Sequence, residues 1–270
     1  MSSLAGGHSD QFLGNQRKDN WWVGPVLTLI GLGGFIVYST WAAFQGSDFF
    51  AVSYLSPFYS PVLFYPPGAS EGVMAHAWFG AWPDWLPWPA FMPKSPAFLI
   101  LMFPGAFRLT CYYYRKAYYR SFAASPSGCA VRARPEKPYN GETRLLLFQN
   151  LHRYALYFAL AFIVLLYYDA FCAFFYMGKF GVGVGSIVLL INATLLAGYT
   201  FGCHSLRHLI GGGCNTPCDL RRTLHEKVSC LNRKHMVFAW LSLFWVGFSD
   251  FYVRMVSMGY ITDFNTWPGI

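Results

Sequence analysis

The chain of 270 residues is 55% hydrophobic and 20% aromatic but only 12% charged, too few charges to clothe a soluble domain of this size. Several apolar runs reach or approach the ~20 residues that cross a bilayer, which excludes the soluble classes. The net charge of +8 gathers in two loops, as membrane orientation requires, so nucleic acid is excluded as a partner.

Residues 1–20 form a polar N-terminal tail without the apolar stretch of a cleavable signal peptide. Five spans follow within a membrane domain over 21–260, giving an all-α membrane protein of five transmembrane helices. The first, 21–44, opens on a Trp pair. The second, 97–118, carries Pro104 and is expected to kink there. The third, 146–177, is longer than a bilayer and so projects from it. The fourth, 182–208, ends in GCHSLRH, and the fifth, 235–260, begins HMVFAWL. Residues 261–270 read as a C-terminal tail.

Lys and Arg counts orient these spans. Arg108 to Arg144 holds eight basic residues and Arg207 to Lys234 holds six, whereas 46–96 has Lys94 alone against three acids. The basic loops, and with them the N-terminus, are placed on the cytoplasmic side of the plasma membrane. The 46–96 segment, with Trp78, Trp82, Trp85 and Trp88 in quick succession, reads as an outer-surface loop at the lipid–water interface.

That topology brings ligand-type residues to one depth near the inner leaflet. Cys111 closes span two, His152 opens span three, Cys203, His204 and His208 close span four, and His235 opens span five. Intramembrane histidines are rare and usually functional, and their convergence points to a redox or metal site. His204 and His208, four apart, share a helix face. Cys129, in SPSGCAV, is placed to fold back toward the same site. Cys214, Cys218, His225 and Cys230 resemble zinc spacing loosely but lack paired C-x2-C, and read as loop thiols. Cys172 reads as a small apolar residue. Asp169, Asp250 and Arg254 read as interhelical ion-pairing groups, whereas Arg108, Arg153 and a tyrosine such as Tyr112 are candidate donors to a quinone oxygen. A b-type heme held by His152 with His204 or His235 fits the same placement. A transporter or scaffold fits less well, because no paired Gly/Pro-interrupted helices are present.

The strings LTCYYYRKAYYRSF (109–122), SGCAV (127–131), YNGETR (139–144), QNLHRY (149–154), GCHSLRH (202–208) and LNRKHMVFAWLSLFWVGFSDFYV (231–253) together carry a resemblance. The chain resembles the cytochrome-b-like SdhC membrane anchor of an actinobacterial-type succinate dehydrogenase, or complex II, over most of 100–260. The resemblance implies a flavoprotein subunit and an iron–sulfur subunit as partners, with lipid around the anchor and menaquinone or ubiquinone as the electron acceptor. It also implies a membrane-embedded Rieske-type 2Fe–2S centre in place of heme, which takes two Cys on one iron and two His on the other. The available donors are Cys111, Cys129 and Cys203 against His152, His204, His208 and His235. The expected ligands are His204 with His208, or next His235, and two of the three cysteines. His152, Arg153, Arg108 and Tyr112 are expected at the quinone. On this reading the chain catalyses nothing alone.

Overall fold

A computed structural model describes residues 12–132, 145–211 and 219–267. Cys214, Cys218, the YNGETR string and residues 1–11 of the N-terminal tail lie outside the described residues. Among the described residues, four helices are long and apolar enough to cross a membrane: Val23–Gln45, Gln149–Cys172, Val184–Phe201 and His235–Ser257.

The first, α1 (Val23–Gln45), leaves Leu27, Ile30 and Val37 exposed, as hydrocarbon rather than water would allow. Gly46 ends it in the left-handed region, at φ 62°. The Tyr59 hydroxyl donates to the Ala42 carbonyl at 2.6 Å and accepts from the Gly46 N–H at 3.1 Å, satisfying groups the helix end frees. Tyr59 belongs to the 46–96 segment, which is more than an interfacial cap. Its short hairpin, β1 (Phe50–Ala51) with β2 (Tyr54–Leu55), and α2 (Glu71–His76) pack a core in which Tyr54, Tyr59 and Val62 are fully buried. The tryptophans divide: Trp82 joins the buried set, while Trp78 and Trp85 face outward as an interfacial belt does.

The second expected span is the one that departs most from a regular helix. It breaks into α3 (Ala97–Ile100), α4 (Met102–Leu109) and α5 (Tyr112–Ala117), followed by a π-helical turn at Tyr118–Phe122. Pro104 has no N–H to offer the Ile100 carbonyl, and the helix falters at Leu101. The second break, at Thr110 and Cys111, has a different cause. The Thr110 hydroxyl and N–H both donate to the Ala106 carbonyl, at 2.7 and 3.0 Å, closing off α4, and Cys111 then turns extended at ψ 132°.

The third span is α6 (Leu145–Cys172), ending in a hairpin of β3 (Phe175–Tyr176) with β4 (Lys179–Phe180) rather than continuing to 177 as a helix. The fourth divides at Gly202 and Cys203 into α7 (Val184–Phe201) and α8 (His204–Ile210). An amphipathic α9 (Asp219–Arg233) precedes α10 (His235–Ser257). The last residues, read as a tail, are held against α7. The Asp263 carboxylate accepts from the Tyr54 hydroxyl, the Tyr252 hydroxyl and the Gly185 N–H, and Trp267 is buried.

The helices α4, α6, α7 and α10 pack together along their lengths. Gly198 lets α10 approach α7 closely: a Cβ there would meet the Phe238 ring at 2.5 Å. One end of this bundle holds the breaks at Cys111 and Cys203 and the start of α10. The other holds the 46–96 layer and a buried ion pair. Asp250 and Arg254 lie 3.6 Å apart, both fully buried, with the Tyr38 hydroxyl donating to Asp250 at 2.7 Å. Asp169 accepts from the Ser60 hydroxyl, and among the described residues no Lys or Arg forms an ion pair with it.

Candidate functional site

Two cysteines occupy equivalent backbone positions at the bundle end. Each follows a helix end (α4 before Cys111, α7 before Cys203), each is extended (Cys111 at φ −66°, ψ 132°; Cys203 at φ −66°, ψ 137°), and each precedes a short helix. Both thiols are buried. Asn232 on α9 donates to the Gly202 carbonyl at 2.8 Å, satisfying a group that the break at Cys203 releases.

Across from each thiol stands an imidazole. His152 Nε2 lies 3.1 Å from Cys203 Sγ, and His235 Nε2 lies 3.9 Å from Cys111 Sγ. The tautomer of His152 follows from its other nitrogen. Thr110 spends its one hydrogen on the Ala106 carbonyl, so Thr110 Oγ1 accepts from His152 Nδ1–H at 3.0 Å. Nε2 is therefore the bare, ligand-competent nitrogen, and it faces the thiol. Phe107 stacks on the same ring at 4.6 Å and 6°, and Tyr199 stacks on His235 at 4.9 Å and 12°. The two thiols are near enough for a charge on one to act on the other, and so are the two imidazoles.

These four groups line a cavity of about 620 Å³ that His204, His208, Tyr112 and Arg153 also border. His204 and His208 meet each other, Nε2 to Nε2 at 2.9 Å, on an exposed face of α8.

The remaining candidates lie elsewhere. Cys129 is exposed, its carbonyl accepting from Arg17 Nη1 at 2.9 Å, and it is not among the cavity walls. Arg108 points away from the cavity, toward Tyr114, Ala239 and Ser242. His225 contacts Arg207, and Cys230 is exposed. Cys172 is partly buried at the far end of α6. Thr110, Tyr199 and Asn232 were not singled out from the sequence; the Thr–Cys adjacency at 110–111 is the one local signal that marked any of them.

A mononuclear ion does not suit this geometry, since among the described residues no three His, Cys, Asp or Glu close on one point. A two-iron cluster divides four ligands between two metals, which matches two thiols and two imidazoles spread around a cavity. The Tyr199 hydroxyl is buried close to Cys111, just behind the cavity wall.

The family model of the actinobacterial succinate dehydrogenase subunit SdhC matches residues 23–259. Among solved structures, a chain of the Mycobacterium smegmatis Sdh1 complex in the apo form is similar, at 43% identity over 94% of both chains with a TM-score of 0.81. No curated protein matches. The cavity and its helix breaks thus lie within the matched region, and the chain belongs to the actinobacterial SdhC family of succinate dehydrogenase membrane subunits, acting as a non-catalytic subunit of an oxidoreductase.

Proposed function

We propose that the chain anchors succinate dehydrogenase in the plasma membrane and is its quinone-reducing subunit, carrying a Rieske-type 2Fe–2S centre on Cys111, Cys203, His152 and His235. The observation that supports this most directly is that two buried thiols and two imidazoles border one cavity, the donor set such a centre takes. The ligand set differs from the sequence expectation: His152 and His235 take the place of His204 and His208, and Cys129 is left out. Bound there, such a centre supplies one-electron transfer between the soluble iron–sulfur subunit and a quinone.

The chain's own residues prepare the site. Thr110 sets the His152 tautomer, Phe107 and Tyr199 hold the two rings, and the surrounding helices keep bulk water from the thiols. His204, His208, Tyr112 and Arg153, on the outer wall of the cavity, are the donors proposed for a menaquinone or ubiquinone headgroup.

Five crossings fit the path of the chain. Ser95 lies against Gly46 at the far end of α1, and Thr110 reaches His152 at the site end, so α3 and α4 traverse the bundle. Arg115, Lys116, Arg120, Arg207, Arg221 and Arg222 follow the breaks at the site end, which we place in the cytoplasm, facing the iron–sulfur and flavoprotein subunits.

Paramagnetic resonance of the reduced complex, with iron and acid-labile sulfide analysis, tests the proposal. A 2Fe–2S signal assigned to the anchor by its loss in His152→Ala is expected. A reduced Soret and sharp alpha band, with no such signal, overturns it in favour of heme b.

A further inference from the structure

Arg108 lies outside the cavity, one aromatic ring removed from its lining: the Tyr199 ring it faces stacks on His235. It occupies the last turn of α4, and its half-buried guanidinium reaches across to α5 and α10. Nη1 donates to the Tyr114 hydroxyl at 2.6 Å and to the Ala239 carbonyl at 3.2 Å, and Nη2 donates to Ser242 Oγ at 2.9 Å. Every partner is neutral. Among the described residues no carboxylate pairs with Arg108, in contrast to Arg254, which has Asp250 at 3.6 Å.

A half-buried cation without a counter-charge is screened less than one in water, so part of its field persists over short distances. That field reaches the site through one ring. The Arg108 guanidinium carbon lies 4.8 Å from the centre of the Tyr199 ring, and the same ring stacks on His235. No other charged side chain lies among the groups bonded to Arg108, so nothing in its shell offsets it.

We propose that Arg108 raises the reduction potential of the centre held by Cys111, Cys203, His152 and His235. The inference rests on the cluster reading. One-electron reduction adds one negative charge within the ligand cage, and a nearby fixed cation favours that state. Cluster potentials respond to net charge and burial in this direction. Arg108 is therefore a positioning residue: it touches neither quinone nor ligands, and it acts on them through the low-dielectric layer of Tyr199.

The test is a redox titration of the intact complex followed by the paramagnetic signal of the reduced 2Fe–2S centre. Arg108→Gln is expected to move the midpoint to lower potential. Arg108→Lys, which keeps the charge but loses the forked hydrogen bonds, is expected to stay near the parent value. Ser242→Asp, which places a carboxylate opposite Nη2 while leaving the guanidinium in place, is expected to lower the midpoint as Arg108→Gln does. That variant decides the matter if Arg108→Gln does not assemble. An unmoved midpoint in Arg108→Gln or Ser242→Asp overturns the role of Arg108, as does a shift in Arg108→Lys equal to that in Arg108→Gln. A parent complex without the signal overturns the cluster reading instead.

Discussion

His152 Nε2 and Cys203 Sγ lie 3.1 Å apart although 51 residues separate them, one on α6 and the other at the joint between α7 and α8. The contact is within hydrogen-bonding distance, and a metal centre would replace it with two bonds of its own. This pair and its counterpart, Cys111 with His235, single out four donors from a larger inventory.

Replacing His152 or His235 by Ala should remove the 2Fe–2S signal and lower iron to the level of the soluble subunits. His204→Ala and His208→Ala should keep the signal and raise the quinone KM. A signal lost in His208→Ala but kept in His152→Ala would reverse the ligand assignment.

Thr110→Val removes the acceptor that fixes His152. An unsatisfied buried N–H costs about 1–3 kcal/mol, and loss of an outer partner of a metal-bound His typically weakens metal retention ~10–100-fold. Iron content after a timed chelator challenge should fall accordingly. Thr110→Ser, which keeps the hydroxyl, should retain iron like the parent.

Gly198→Ala places a methyl 2.5 Å from the Phe238 ring and should destabilise the α7–α10 contact by about 1–3 kcal/mol. Thermal unfolding of the solubilised complex measures the loss. Phe238→Leu in the same chain should recover part of it, whereas an additive double variant would show that the two residues do not interact.

Asp250→Ala leaves the fully buried Arg254 without its partner, and the expected cost is about 3–5 kcal/mol. The double variant Asp250→Leu, Arg254→Met should unfold at a higher temperature than Asp250→Ala alone. Equal melting of the two would show that desolvation of the pair is not the controlling factor.

Much of this was legible in the chain itself. The runs at 21–44, 146–177, 182–208 and 235–260 correspond to the four long apolar helices, because a helix apolar on every face announces itself locally. The ion pairing of Asp250 with Arg254 follows from their i,i+4 spacing alone. The second span was harder to read. Its interruption at Cys111, just after a threonine whose hydroxyl bonds back to Ala106, leaves no mark in hydropathy. The tryptophans of the 46–96 segment read as an interfacial layer, but hydropathy gave no sign that Tyr54 and Tyr59 of the same segment bury themselves against other elements.

By itself, the sequence determined that the protein lives in a membrane, where its long spans run, and that Cys and His gather near one end of them. These are sums over local composition, and no tertiary contact alters them. Only the tertiary structure decided which donors face one another. Cys111 and Cys203 turn inward because helices break beside them, while His204 and His208, one turn farther on, bond to each other on an exposed face. Sequence spacing favoured the two histidines on one helix. Packing instead brought together single residues from four segments, because a buried cavity takes its walls from every helix around it.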